Sequence, residues 1–155
     1  MIKIIRTISI ILLITTGLLV ALSADDIAYA VENKRYKVIA ENITTADINM
    51  LARLVWLEAR GESDAGQRAV IEVVFNRVMS KRFPNTIKEV IYAKNQFTPA
   101  KKIAKTVATS KEYRNVYHVL YSSKRVLPNN VVYFSTTAQN NKVYAKIGGH
   151  IFCLI

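Results

Sequence analysis

The chain has 155 residues, with 22 Lys and Arg against 11 Asp and Glu, a formal net charge of +11 and 51% hydrophobic residues. That composition excludes a disordered chain, and the length leaves room for one core of ordinary size. A single cysteine, Cys153, excludes an intramolecular disulfide, and within the apolar ending Ile151 to Ile155 it reads as a buried thiol.

Residues 1–30 open with Lys3 and Arg6, continue through an uncharged run from Ile8 to Leu22, and close on the small-residue pattern Ala28-Tyr29-Ala30. These are the three regions of a signal peptide, and the run is shorter than the ~20 residues that span a bilayer. The chain is therefore expected to be secreted and associated with the cell wall, the alternative being an uncleaved membrane anchor. The segment holds two basic and two acidic residues, so the mature remainder keeps +11. Outside a cell the abundant polyanions are wall polymers and lipid head groups, and no nucleic-acid partner is expected.

Residues 31–43 read as a short polar lead-in, and 44–155 as one domain without repeats or linkers, expected to be a monomer. Thr44-Thr45-Ala46-Asp47 is a capping signal for a helix reaching about Arg60, with Gly61 at the position that ends it. Ser63-Asp64 caps a second helix over about Ala65 to Ser80, whose Val70, Ile71, Val73, Val74, Phe75 and Val78 mark it as the central buried helix. Pro84 opens a short third helix ending near Ala93, and residues 111–122 place Tyr113, Val116, Tyr117 and Leu120 at helical spacing. Beyond Pro128 the period changes to two: Val131 to Ser135, an Asn-rich turn at Gln139-Asn140-Asn141, then Lys142 to Ile147, which together read as a hairpin. Helices followed by a small antiparallel sheet predict an α+β fold, mainly helical with a β-hairpin near the C-terminus.

Glu58 is out of place in this scheme. At ~100° per residue it lies about 20° from Leu51, 40° from Leu54 and 60° from Val55, while Arg53 points about 140° away. The carboxylate shares the apolar face, where desolvation raises its pKa and makes it able to donate a proton near neutral pH. The bland reading is a frayed helix end with Glu58 paired to Arg60 or Arg53. A Glu in the last turn also opposes the helix dipole, a local cost that nothing local offsets.

Residues 51–78, LARLVWLEARGESDAGQRAVIEVVFNRV, carry EARGE, a Gly-Gln pair and Asn-Arg-Val. They are followed by FPNTIKEVI, by Asn95-Gln96-Phe97-Thr98, by the strand Val131 to Phe134 and by Ile147-Gly148-Gly149-His150-Ile151-Phe152. In this order the motifs resemble the cell-wall hydrolase or spore cortex-lytic enzyme family of the SleB and CwlJ type, over almost the whole of 44–155. The resemblance implies a lysozyme-like domain that cleaves the glycan strands of peptidoglycan, with the first Glu of EARGE, here Glu58, as catalytic acid. It also implies a role in sporulation and germination, and leaves room for an accessory activator protein. Members of the SleB kind resemble lytic transglycosylases, which cut the β-1,4 bond after N-acetylmuramic acid and leave a 1,6-anhydro end. Such an enzyme uses the sugar's own C6 hydroxyl and can work with one acid, where a standard glycosidase needs two carboxylates. Glu62 and Glu72 are the runners-up among the acids. The family's cortex-lytic members also resemble a signal peptide followed by a separate wall-binding domain, for which residues 31–43 are too short; the basic surface is expected to serve in its place.

Four further residues, with Glu72, are candidates for contact with substrate. Gln96 and Phe97 combine an amide with an aromatic ring, a natural sugar contact, although Phe97 equally suits a core plug. Tyr133 and Ser135 alternate on the first strand, on a cleft border or in the core. Glu72 and Asn76 share one side of the second helix, facing the cleft or solvent. His118, His150 and Cys153 are too few and too poorly spaced to argue a zinc site, so no metal and no cofactor is expected. The alternative from another class is a non-catalytic basic domain that binds anionic wall polymer or nucleic acid.

Overall fold

The computed structural model describes residues 36–155 and the backbone of two short strands, β1 (Ile10–Leu12) and β2 (Val20–Leu22), paired antiparallel. Apart from those strands, the expected signal peptide over 1–30 lies outside the described residues.

The expected lead-in contains a helix, α1, over residues 36–42. Its Tyr36 and Ile39 are buried, and the Tyr36 ring meets Phe75 edge-on at 5.3 Å, so part of the lead-in belongs to the core. α2 (Thr45–Ala59) starts from the full capping box of Thr44 and Asp47. It ends without a left-handed glycine: among the described residues the one glycine with positive φ is Gly148, not Gly61. The terminal carbonyl of Ala59 is taken instead by the Glu62 N–H at 2.9 Å and the Gln67 side-chain amide at 3.2 Å. With those acceptors filled, the helix can turn directly into the next one.

That helix, α3 (Asp64–Val78), is capped by the Ser63 hydroxyl and buried without interruption from Ala69 to Arg77. Val70, Ile71, Val74 and Phe75 join the large cluster formed with α2, α4 and α5, whereas Ala69 and Val73 meet Leu127, Val131 and Phe152 on the sheet side. A helix covered on both flanks hides its polar positions too, which explains why Gln67, Glu72, Asn76 and Arg77 are all inside. α4 (Ile87–Tyr92) starts at Thr86, a 3₁₀ segment spans Thr98–Lys105, and α5 (Ser110–Tyr121) starts from the capping box of Thr109 and Glu112.

The small antiparallel sheet is present, with a different pairing from the one expected. β3 (Val131–Ser135) and β4 (Val143–Ile147) do not pair; β5 (His150–Leu154) lies between them. Tyr133 faces Cys153 and Phe134 faces Phe152, while Ala145 faces Phe152 from the other side. The tight hairpin joins β4 to β5 through Gly148-Gly149, where φ of +57° at Gly148 meets the demand of a two-residue turn. β5 is the most apolar strand, so it takes the central place, and the largely exposed β4 takes the edge.

Candidate functional site

α3 packs against both α2 and β3, while the sheet makes no comparable contact with α2 among the described residues. α2 and the hairpin therefore flank α3 like two walls on one base. Glu58 sits on the α2 wall, one residue before its end, half-buried beside fully buried Leu54 and Val55. Burial pushes its carboxyl above the usual carboxylate range. The pairing with Arg60 or Arg53 is not formed: the Arg60 guanidinium stacks over the Trp56 ring at 4.7 Å, and among the described residues the Glu58 carboxylate has no hydrogen-bond or ion-pair partner.

The neighbouring carboxylates are committed to structure. Glu62, one helical turn beyond Glu58, crosses to the other wall, where its Oε1 accepts the Gly149 N–H at 3.1 Å. Three glycines make the seat: a Cβ on Gly148 would overlap the Glu62 carboxylate, and one on Gly66 or Gly149 would lie within 3.0 Å of its side chain. The Glu62 carbonyl also accepts from Lys111 Nζ at 2.8 Å. One residue thus ties the end of α2, the β4–β5 turn and the start of α5 together, four residues along the chain from Glu58.

Glu112 closes its capping box and accepts from Gln67 Nε2 at 3.0 Å. Burial alone would raise its pKa, but the hydrogen bonds from Thr109 and Gln67 outweigh that and hold it low. Asp64 accepts from Asn115 at 3.0 Å and lies 3.9 Å from Arg68, with its carboxyl held low by the Asn115 hydrogen bond above all. Gln67 has both ends of its amide engaged, donating to Ala59 and Glu112 and accepting from Asn115 at 2.8 Å. It supports the end of α2 that carries Glu58, and reasoning from sequence missed it. The available signal was an amide at helical spacing from Val70 and Ile71, in the apolar stripe of α3.

Two substrate candidates move to other roles. Glu72 is 1% exposed, and its carboxylate accepts the Val126 and Leu127 N–H groups at 3.1 and 2.7 Å, so it fixes the loop before β3 instead of facing the cleft. Asn76 beside it donates to the carbonyls of Pro128 and Val131, so the solvated-face reading of this pair is corrected. Phe97 is 6% exposed within the large core cluster, which makes it a plug and not a sugar platform. Its ring lies 6.0 Å from Phe134, which meets His150 edge-on at 5.2 Å, giving an aromatic wall that runs back to the Gly148-Gly149 turn.

Gln96 is exposed next to that plug, and Tyr133 and Ser135 are half-buried on β3. The Tyr133 ring lies 6.1 Å from Phe83 and 6.0 Å from the Arg77 guanidinium. Arg77 itself is buried, donates from Nε to the Val132 carbonyl at 2.7 Å, and is pushed down to about 10 by burial. His150 is buried in the aromatic wall and Cys153 in the sheet, and among the described residues no three metal-ligating side chains gather.

Comparison with known proteins gives the family. Residues 61–153 match a family model described as cell wall hydrolase, a span that contains the Glu62 seat and begins three residues after Glu58. A spore cortex-lytic enzyme of Bacillus cereus is 35% identical over 122 residues, covering 69% of this chain and 44% of that protein. The chain thus spans less than half the length of the curated relatives it matches. Among solved structures, the catalytic domain of the germination-specific lytic transglycosylase SleB from Bacillus anthracis superposes with a TM-score of 0.64 at 32% identity, covering 72% of this chain and 97% of that one. The catalytic domain of the Bacillus cereus SleB protein gives the same TM-score and identity, with 92% of its length covered.

Proposed function

The chain belongs to the cell wall hydrolase family, and from that premise we propose that it cleaves the glycan strands of peptidoglycan outside the cell as a lytic transglycosylase, with Glu58 as acid and then base. Residues 1–30 serve as its export signal in this reading. One observation carries the assignment: around the end of α2, Glu62, Asp64, Glu72 and Glu112 are each held by structural hydrogen bonds, whereas Glu58 is half-buried, raised in pKa and free of partners among the described residues. A carboxyl whose pKa is raised by burial and which has no partner is better suited than its neighbours to give a proton to an arriving oxygen.

The chemistry follows from that state. Glu58 protonates the glycosidic oxygen as the bond from C1 of the muramyl residue breaks, and the ring gains oxocarbenium character. The C6 hydroxyl of the same sugar then attacks C1, and the Glu58 carboxylate takes the hydroxyl proton. The acid is regenerated, no water is consumed, and the product carries a 1,6-anhydro end. A hydrolase would need a second carboxylate or a positioned water, and the structural duties of the neighbouring acids favour the single-acid route.

Glu58→Gln tests this directly. The variant keeps the shape but not the proton, so it should fold like the parent, still bind purified walls, and lose about 10²- to 10⁴-fold in clearing them. Product masses from spore cortex and from vegetative walls should show anhydro ends with the parent. An active Glu58→Gln protein overturns the assignment, and reducing ends from the parent overturn the transglycosylase route.

A further inference from the structure

α5 carries a feature that cleavage at Glu58 does not use. Tyr117 and Tyr121, one turn apart, hold their rings nearly parallel, 12° between planes and 6.4 Å between centroids. They are 46% and 69% exposed, although Tyr117 was expected on the inner face of the helix. The buried stripe of α5 runs through Glu112, Asn115, Val116, Val119 and Leu120 instead, leaving the two rings in water. Paired aromatic area exposed beside polar groups is a candidate binding surface.

Next to Tyr121 a groove of about 580 Å³ opens between α1 and the end of α5. Leu120, Ala40 and Tyr36 give it an apolar floor, while Ser122, Ser123 and the Lys37–Glu41 ion pair, 3.8 Å apart, stand on its rim. Rings with hydroxyls and an amine alongside suit sugars, which offer C–H faces to the rings and hydroxyl or acetamido groups to the rim. Arg114, one turn before Tyr117 on α5, and Lys124, three residues beyond Tyr121 in the following loop, are both exposed. α5 begins beside Glu62 through Lys111, and Tyr121 lies ten residues, about 15 Å, further along the helix.

We propose that the Tyr117–Tyr121 face of α5, with the groove beside it, is a second binding site for peptidoglycan, separate from Glu58. The glycan strand lies on the two rings, and carboxylates of the lactyl and peptide groups meet Arg114 and Lys124. The choice of ligand rests on the proposed function; the site itself rests on the rings, the groove and the flanking charge. Such a site attaches the domain to insoluble wall while the cleft works along the strand.

The test is sedimentation of the full chain with purified sacculi, stripped of teichoic acid or still bearing it, in a Glu58→Gln background so that the ligand is not consumed. Tyr117→Ala/Tyr121→Ala should weaken binding to stripped sacculi about tenfold, equivalent to about 1.4 kcal/mol, with an unchanged thermal midpoint. Tyr117→Phe/Tyr121→Phe should restore it. In the active background the alanine pair should clear walls more slowly yet cleave short soluble glycan fragments at the parental rate. Undiminished binding to stripped sacculi overturns the proposal, as does a loss seen only on teichoic-acid-bearing walls, which would make the partner an anionic polymer. A parent that cleaves walls without needing the tyrosines refutes this site alone, and a parent that binds through them but never cleaves refutes the catalytic reading alone.

Discussion

Replacing Gly148 by alanine probes whether Glu62 holds the β4–β5 turn against the end of α2. The residue has φ of +57°, so alanine there costs about 1 kcal/mol of backbone strain wherever its side chain points. Its Cβ would also overlap the Glu62 carboxylate. Glu62 must swing out and give up the Gly149 N–H. A hydrogen bond to a charged acceptor in this partly exposed place is worth about 1–2 kcal/mol, so Gly148→Ala should destabilise by about 2–3 kcal/mol. Glu62→Ala loses the bond alone, about 1–2 kcal/mol. In the double variant nothing is left to overlap, so its loss should match that of Gly148→Ala and fall short of the sum of the singles by about 1–2 kcal/mol. Urea unfolding of the four proteins reads this coupling, and wall clearing per folded molecule should drop in both singles as the turn drifts from Glu58. Additivity within about 0.5 kcal/mol would show that Gly148 does not exist to accommodate Glu62.

Three other outcomes follow from the same geometry. Phe97→Ala should cost about 3–5 kcal/mol, as for other buried rings, with activity per folded molecule nearly unchanged; parental stability with lost activity would return Phe97 to the substrate-contacting set. Gln67→Leu keeps the volume but removes one hydrogen bond each from Ala59, Glu112 and Asn115, so thermal unfolding should report a loss of about 2–4 kcal/mol, and a neutral result would mean that the network adds nothing. Because the folded-state pKa of Glu58 is raised from 4.5, the folded form holds the proton longer than the unfolded one and stability falls as pH rises through that interval. Parent and Glu58→Gln should therefore unfold alike below about pH 4.5, with the variant ahead above the folded pKa, and parental activity should decline over the same rise in pH; a constant difference across pH would remove the desolvated acid.

What the sequence determined by itself was local. The capping boxes of Thr44 with Asp47 and the hydroxyl cap of Ser63 are written in adjacent residues, because a helix N-terminus is satisfied within its own first turn. Glu58 on the apolar face follows from helical geometry and needs no tertiary knowledge. The α+β class followed from a change of period after Pro128, and the family from ordered motifs.

Only the tertiary structure decided what meets what across the chain. The Asn-rich segment looked like the hairpin turn, yet β5 is inserted between β3 and β4, since strand pairing depends on which apolar face finds α3 and not on sequence order. Glu72 and Asn76 read as a solvated side because a single amphipathic stripe cannot reveal that a sheet will cover the other flank of the helix. Glu62 looked like a spare acid. Its seat is made by glycines that include Gly148 and Gly149, 86 and 87 residues further on, whose missing side chains matter only once the chain has brought them to the carboxylate. The rings of Tyr117 and Tyr121 face water for the same kind of reason: burial on α5 is set by where α2 and α3 press against it, and they press on the side of Val116 and Val119.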